Sequence, residues 1–147
     1  MRRVLLLAAA LSTVPRGYAQ EKTDRDKMQG EWKIASFALG GKDDLPRQLL
    51  DQAKVVFKGD TMVLDFGKSG KEEWSFKLDA TKTPKAIDLF GTSVRGQEKK
   101  WLPGIYMVKD KELTLRWCAS PLAQKGERPR EFTKPHGADF RTMVLKR

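Results

Sequence analysis

The sequence predicts an all-β fold: an antiparallel up-and-down barrel of about eight strands with one or two short helices. Three observations carry this. Strand-length runs follow one another along the chain, and most alternate apolar with polar residues. The separators between them are mostly short and rich in turn chemistry, as in Lys58-Gly59-Asp60, Gly67-Lys68-Ser69-Gly70 and Lys109-Asp110-Lys111. At the head of the first run, Met28-Gln29-Gly30-Glu31-Trp32-Lys33 sets a Trp just after a Gly where the first strand begins. A meander of this many strands gains by closing, because closure removes the exposed edges that would recruit other chains. An open sandwich is the alternative fold.

In chain order, residues 23–29 predict one helical turn capped by Thr23 and stopped by Gly30, with Met28 facing the core. The first strand follows over 31–39, and Gly40-Gly41 reads as the loop after it. A short helix is expected over 45–53, where Asp43 and Asp44 offer caps, Pro46 suits a first turn and Leu45, Leu49 and Leu50 share a face. It would act as a lid over one barrel end. The remaining strands are expected over 54–58, 61–66, 72–78, 86–90, 101–108, 112–118 and 139–146. Met62, Leu64 and Phe66 share one face, as do Trp74, Phe76 and Leu78, then Ile87 and Leu89, then Leu113, Leu115 and Trp117, then Met143 and Leu145. In the last strand Arg141 and Arg147 have the parity of the inward pair Met143 and Leu145.

Residues 1–19 have the pattern of a signal peptide, with Arg2 and Arg3, an apolar run from Val4 to Leu11 and the small-x-small triplet Gly17-Tyr18-Ala19. The reading is an exported protein, periplasmic or extracellular, cleaved near Ala19, with a single barrel domain over 20–147. The apolar run is shorter than the roughly 20 residues a membrane helix needs, so no transmembrane anchor is expected. The only Cys, Cys118, is not at the cleavage point, which argues against lipid anchoring, and one Cys makes no internal disulfide. It reads as a small packed residue. Without Arg2, Arg3 and Arg16 the net charge falls from +10 to +7, and the excess is spread among Lys/Glu and Lys/Asp mixtures as on a solvated surface. Nucleic acid is not an expected partner, because the aromatics alternate with apolar residues instead of interleaving with a basic stripe. A monomer is expected.

The Gly-x-Trp opening is how lipocalin-like barrels begin. Further segments, among them Lys54 to Asp60, Thr83 to Leu89, Gly104-Ile105-Tyr106, Leu113 to Cys118, Gly126 to Phe132 and Met143 to Arg147, together resemble a family of uncharacterised, mostly exported bacterial domains expanded in planctomycetes. The resemblance spans nearly the whole chain after residue 19. It implies a lipocalin-like barrel and no established activity, so it brings no catalytic residues. In lipocalin-like barrels a basic residue of the last strand packs across this Trp; Arg141 and Arg147 both have the inward parity, and if the last strand closes antiparallel onto the first its end lies beside Trp32, which assigns the place to Arg147. Gly30, Trp32 and Arg147 form the expected structural signature.

Catalytic and cofactor patterns are scarce. His136, the only histidine, lies in a turn, and with Cys118 alone it completes no zinc site. None of Ser36, Ser69, Ser75, Ser93 and Ser120 lies in a nucleophile-elbow context. No phosphate-binding Gly motif occurs, and no metal or cofactor is expected. Asp88 and Glu131, with Arg128 between them in charge, are the one carboxylate pair worth testing for hydrolysis, against a structural pairing of Arg128 with either acid. The leading functional expectation is a binder of a small apolar or amphipathic ligand among Trp74, Phe76, Tyr106 and Trp117, with Arg116 or loop charges near the mouth. Side chains that line a pocket can equally fill a small barrel. In that case the protein is an envelope interaction or inhibitor module working through loops such as 119–136, and a hydrolase is the third reading.

Overall fold

The computed structural model describes residues 22–92, 99–118, 127–133 and 140–147; the expected leader over 1–19, Ser93, Ser120 and His136 lie outside them. The chain begins with helix α1 (Asp24–Met28), whose start is fixed by a capping box: the Thr23 hydroxyl accepts from the Asp26 backbone N–H, and the Asp26 carboxylate accepts from Thr23 N–H. Then come β1 (Gly30–Leu39), β2 (Lys42–Asp43), α2 (Arg47–Leu50), β3 (Lys54–Lys58), β4 (Thr61–Asp65), a 3-10 turn (Gly67–Ser69), β5 (Lys71–Asp79), β6 (Ala86–Thr92), β7 (Lys99–Lys109), β8 (Glu112–Cys118) and β9 (Phe140–Lys146). The sheet order is β2-β1-β3-β4-β5-β6-β7-β8-β9, and β1 also pairs with β9. Every pairing is antiparallel, so eight strands close into an up-and-down barrel, with β2 a two-residue appendage on the rim. Closure leaves no free edge along the barrel wall.

The strand runs expected from the alternation are present, with β7 and β6 longer at their shared end than expected and the outer limits elsewhere shifted by a residue or so. Two features depart from simple alternation. In β1 the register with β9 shifts between Ile34 and Ser36, a bulge at Ala35 that lets Trp32, Ile34 and Phe37 all face inward despite their unequal spacing. In β8 every residue from Leu113 to Cys118 is buried, Leu113, Leu115 and Trp117 in the barrel core and Thr114, Arg116 and Cys118 on the other side of the sheet.

The helix expected over 45–53 is only Arg47–Leu50, and its N-cap is Pro46, with no side-chain cap. The two acids proposed as caps are used elsewhere: Asp43 belongs to β2, while the Asp44 N–H donates to Phe37 O and its carboxylate approaches Arg141. Leu45 and Leu50 still pack against the core. The Gly40-Gly41 pair, both at positive φ, makes the tight β1–β2 hairpin turn.

Strand direction sorts the connections into two ends. The end called lower here carries α1, the β3–β4 turn, the β7–β8 turn and the C-terminus. The upper end carries the β1–β2 hairpin, α2 and the β4–β5 turn.

Candidate functional site

The lower end is sealed. Gly30, at φ +102, turns the chain from α1 into β1 in a conformation that favours glycine, although a side chain there would meet nothing. This turn lays Trp32 under α1, where its indole N–H donates to Met28 O at 2.7 Å and the ring is wholly buried. The structure brings Arg147 to the same ring, with its guanidinium carbon 4.2 Å from the ring centroid. That guanidinium also donates to Gln29 O and Lys27 O, both at 3.0 Å, so it ties the C-terminus, α1 and Trp32 together. The Gln29 amide exchanges two hydrogen bonds with the Gly59 backbone in the β3–β4 turn.

A second tie was not expected from sequence. The Asp24 carboxylate accepts from Lys85 Nζ at 2.6 Å and from the Tyr106 hydroxyl at 2.9 Å. Burial opposes the charge on Asp24, but the bonds from Lys85 and Tyr106 and the charges of Lys85 and Lys27 outweigh it and lower its pKa. Burial, reinforced by the hydrogen bond to Asp24 and that carboxylate's charge, pushes the Tyr106 hydroxyl well above its ordinary range. Tyr106 therefore belongs to the seal and stays protonated as a donor.

Above the seal the barrel is filled. Phe57, Met62, Phe76, Leu89, Leu113, Leu115, Met143 and Leu145 are between 0 and 2 % accessible. A side chain lining a void large enough for water would expose surface to it, so these do not line one. Phe76 meets Phe57 edge to face, with centroids 5.6 Å apart. It is a filler of this layer.

At the upper end Phe66, Trp74 and Leu102 are only partly buried, as are Leu45 and Leu50 around α2; Leu78 and Val108, near the lower ends of β5 and β7, are partly buried too. Trp74 lies over Gly91, its cross-strand partner, where a Cβ would overlap the indole. Trp117 packs edge to face on Phe37, with centroids 5.9 Å apart. Arg141 stands opposite both Trp117 and Leu39 in the sheet, its guanidinium 5.8 Å from the Phe37 ring and 3.3 Å from the Asp44 carboxylate. Sequence parity had set Arg141 inward without giving it a role.

Of the five residues expected around a ligand, the structure gathers Trp74 and Trp117 toward the upper end, and Phe76, Tyr106 and Arg116 do not join them. Arg116 alternates with Trp117 and so lies on the outer wall, buried under segment 127–133, where it donates to Phe132 O and its guanidinium lies 5.5 Å from the Phe140 ring. Burial lowers its pKa, while the Glu131 charge acts in the opposite direction. The same segment carries Arg128, which donates to Ile87 O, Gly104 O and the Asp88 carboxylate at 3.0, 2.6 and 2.7 Å. The Trp101 indole donates to Asp88 as well. Asp88 and Arg128 thus converge, whereas Glu131 acts on Arg116.

Among the described residues no group of three or more His, Cys, Asp or Glu side chains is placed to hold a metal. A hollow on the flank, bounded by Arg25, Asp60, Ser75, Phe76, Lys77, Leu78 and Phe90, is partly open to solvent and carries the Arg25–Asp60 ion pair. No protein family, curated protein or solved structure matched the chain in comparison searches.

Proposed function

We propose that this chain is an exported barrel that binds a small apolar or amphipathic ligand at its upper end. The observation that carries the reading is the contrast in what covers the two ends: below, α1 and Arg147 lie over Met28 and a wholly inaccessible Trp32, with Leu78 and Val108 partly accessible beside them, while above Phe66, Trp74 and Leu102 keep apolar surface accessible. The filled middle sets the depth, so the ligand lodges at the level of Trp74 and Trp117 and goes no further. Export is supported by the leader-like residues 1–19, and membership of the exported planctomycete domain family by the segments that resemble it. A closed wall without a free edge favours a monomer.

The test is titration of intrinsic Trp fluorescence with decanol and decanoate. A saturable change is expected, since Trp74 and Trp117 border the site. A linear or absent response would mean that the upper end is filled as well. The second reading, an interaction module, would then draw on the outer wall, where Trp101 and Met107 are the exposed large apolar side chains among the described residues. A hydrolase loses its carboxylate pair, because Arg128 and Trp101 occupy Asp88 and Glu131 faces Arg116.

A further inference from the structure

We propose that Arg141 recognises the ligand's headgroup, so that the upper site selects a carboxylate-bearing amphiphile over a neutral one of the same chain length; this rests on the binding reading above. The position comes first. Arg141 pairs with Trp117 across β8 and with Leu39 across β1, which puts it on the inward face at the rim, beside the Phe37 ring. An arginine on the inner wall of an apolar barrel carries a desolvation cost that is recovered only when its donors are used.

Those donors are largely unused. Arg147 gives hydrogen bonds to three backbone carbonyls, and Arg128 to two carbonyls and a carboxylate. Arg141 has only the offset ion pair with Asp44: its Nε lies 3.3 Å from the carboxylate, is itself buried, and has no hydrogen-bond partner among the described residues. Yet its side chain remains 40 % accessible to solvent at the rim. A planar guanidinium with its outer edge open fits a carboxylate in the two-pronged geometry that suits arginine best.

The surroundings fit an amphiphile more than a small free acid, because Trp74, Leu102 and Phe66 present partly accessible apolar surface at the same end. Two other charges share the inward parity near this rim, Lys100 on β7 and Glu72 on β5, and they oppose one another in sign. Asp44 remains the competitor for Arg141. It lies in the link to α2, so a ligand carboxylate would take over a partner that now helps to hold that link.

The experiment compares decanoate with decanol by Trp fluorescence at neutral pH, in the wild-type chain and in Arg141→Gln, Arg141→Lys and Asp44→Asn. Decanoate should bind about tenfold more tightly than decanol to the wild type, the scale of a hydrogen-bonded charge pair. Arg141→Gln should erase that preference by weakening decanoate far more than decanol, Arg141→Lys should keep part of it, and Asp44→Asn should widen it. An unchanged decanoate-to-decanol ratio in Arg141→Gln overturns the assignment and leaves the site standing. If Arg141→Gln does not fold, a ratio that fails to rise in Asp44→Asn overturns it instead. Absence of a saturable response to either compound in the wild type overturns the binding reading and this assignment together.

Discussion

Arg147 shows how one side chain can close a barrel. Its position follows from two facts legible in the sequence: Gly30 and Trp32 open β1, and the parity of β9 points Arg147 at the inner wall. Its three backbone acceptors were not legible, because they depend on where α1 folds back. Replacing it with Ala removes a cation–π contact and these charged hydrogen bonds, and should cost about 2 kcal/mol. A thermal melt checks this, and an unchanged melting temperature would mean that the contact carries no stability. Arg116 shows the opposite case: expected near the mouth, it lies on the outer wall, because strand alternation separates it from Trp117 onto the opposite face. Arg141 had the right parity, but nothing in the sequence said that Asp44 would meet it.

Among the elements, α1 is held mainly by polar ties whose strength depends on pH. The folded protein keeps the Asp24 carboxyl below its ordinary value of 3.8, so its contribution is complete above that value and is lost as pH falls through the lower folded value. Asp26 behaves in the same sense through its bonds from Thr23. The Asp24→Asn variant should melt lower than the wild type at neutral pH, and that gap should narrow below about pH 4. A gap independent of pH would show that Asp24 acts without its charge. The outer strap over 127–133 falls within the loop expected over 119–136, where Pro121, Pro129 and Pro135 argue against regular structure. What pins it to the wall is Arg128, whose backbone acceptors on β6 and β7 no local pattern reveals. Arg128→Ala should cost about 2 kcal/mol and leave Asp88 with only the Trp101 indole. Cys118, the single and buried thiol on that wall, should then react faster with a thiol reagent. Wild-type reactivity in the variant would show that the strap does not depend on Arg128. The strands were the most legible elements because alternation and turn residues fix them locally. The second helix was not, since tertiary contacts took both of its expected caps.

At the scale of the whole molecule, the barrel is stoppered below by α1 and Arg147 and filled in the middle, and on the proposed reading a ligand enters from above. The four tryptophans happen to sample this arrangement: Trp32 in the lower seal, Trp74 and Trp117 toward the upper end, and Trp101 on the outer wall. Each indole N–H gives its own signal in a proton–nitrogen correlation spectrum of labelled protein, so one titration with decanoate locates the ligand. With the ligand lodged at the upper end, the Trp74 and Trp117 signals should shift saturably while those of Trp32 and Trp101 stay in place. Shifts confined to Trp32 or Trp101, or no shift at any of the four, would contradict it.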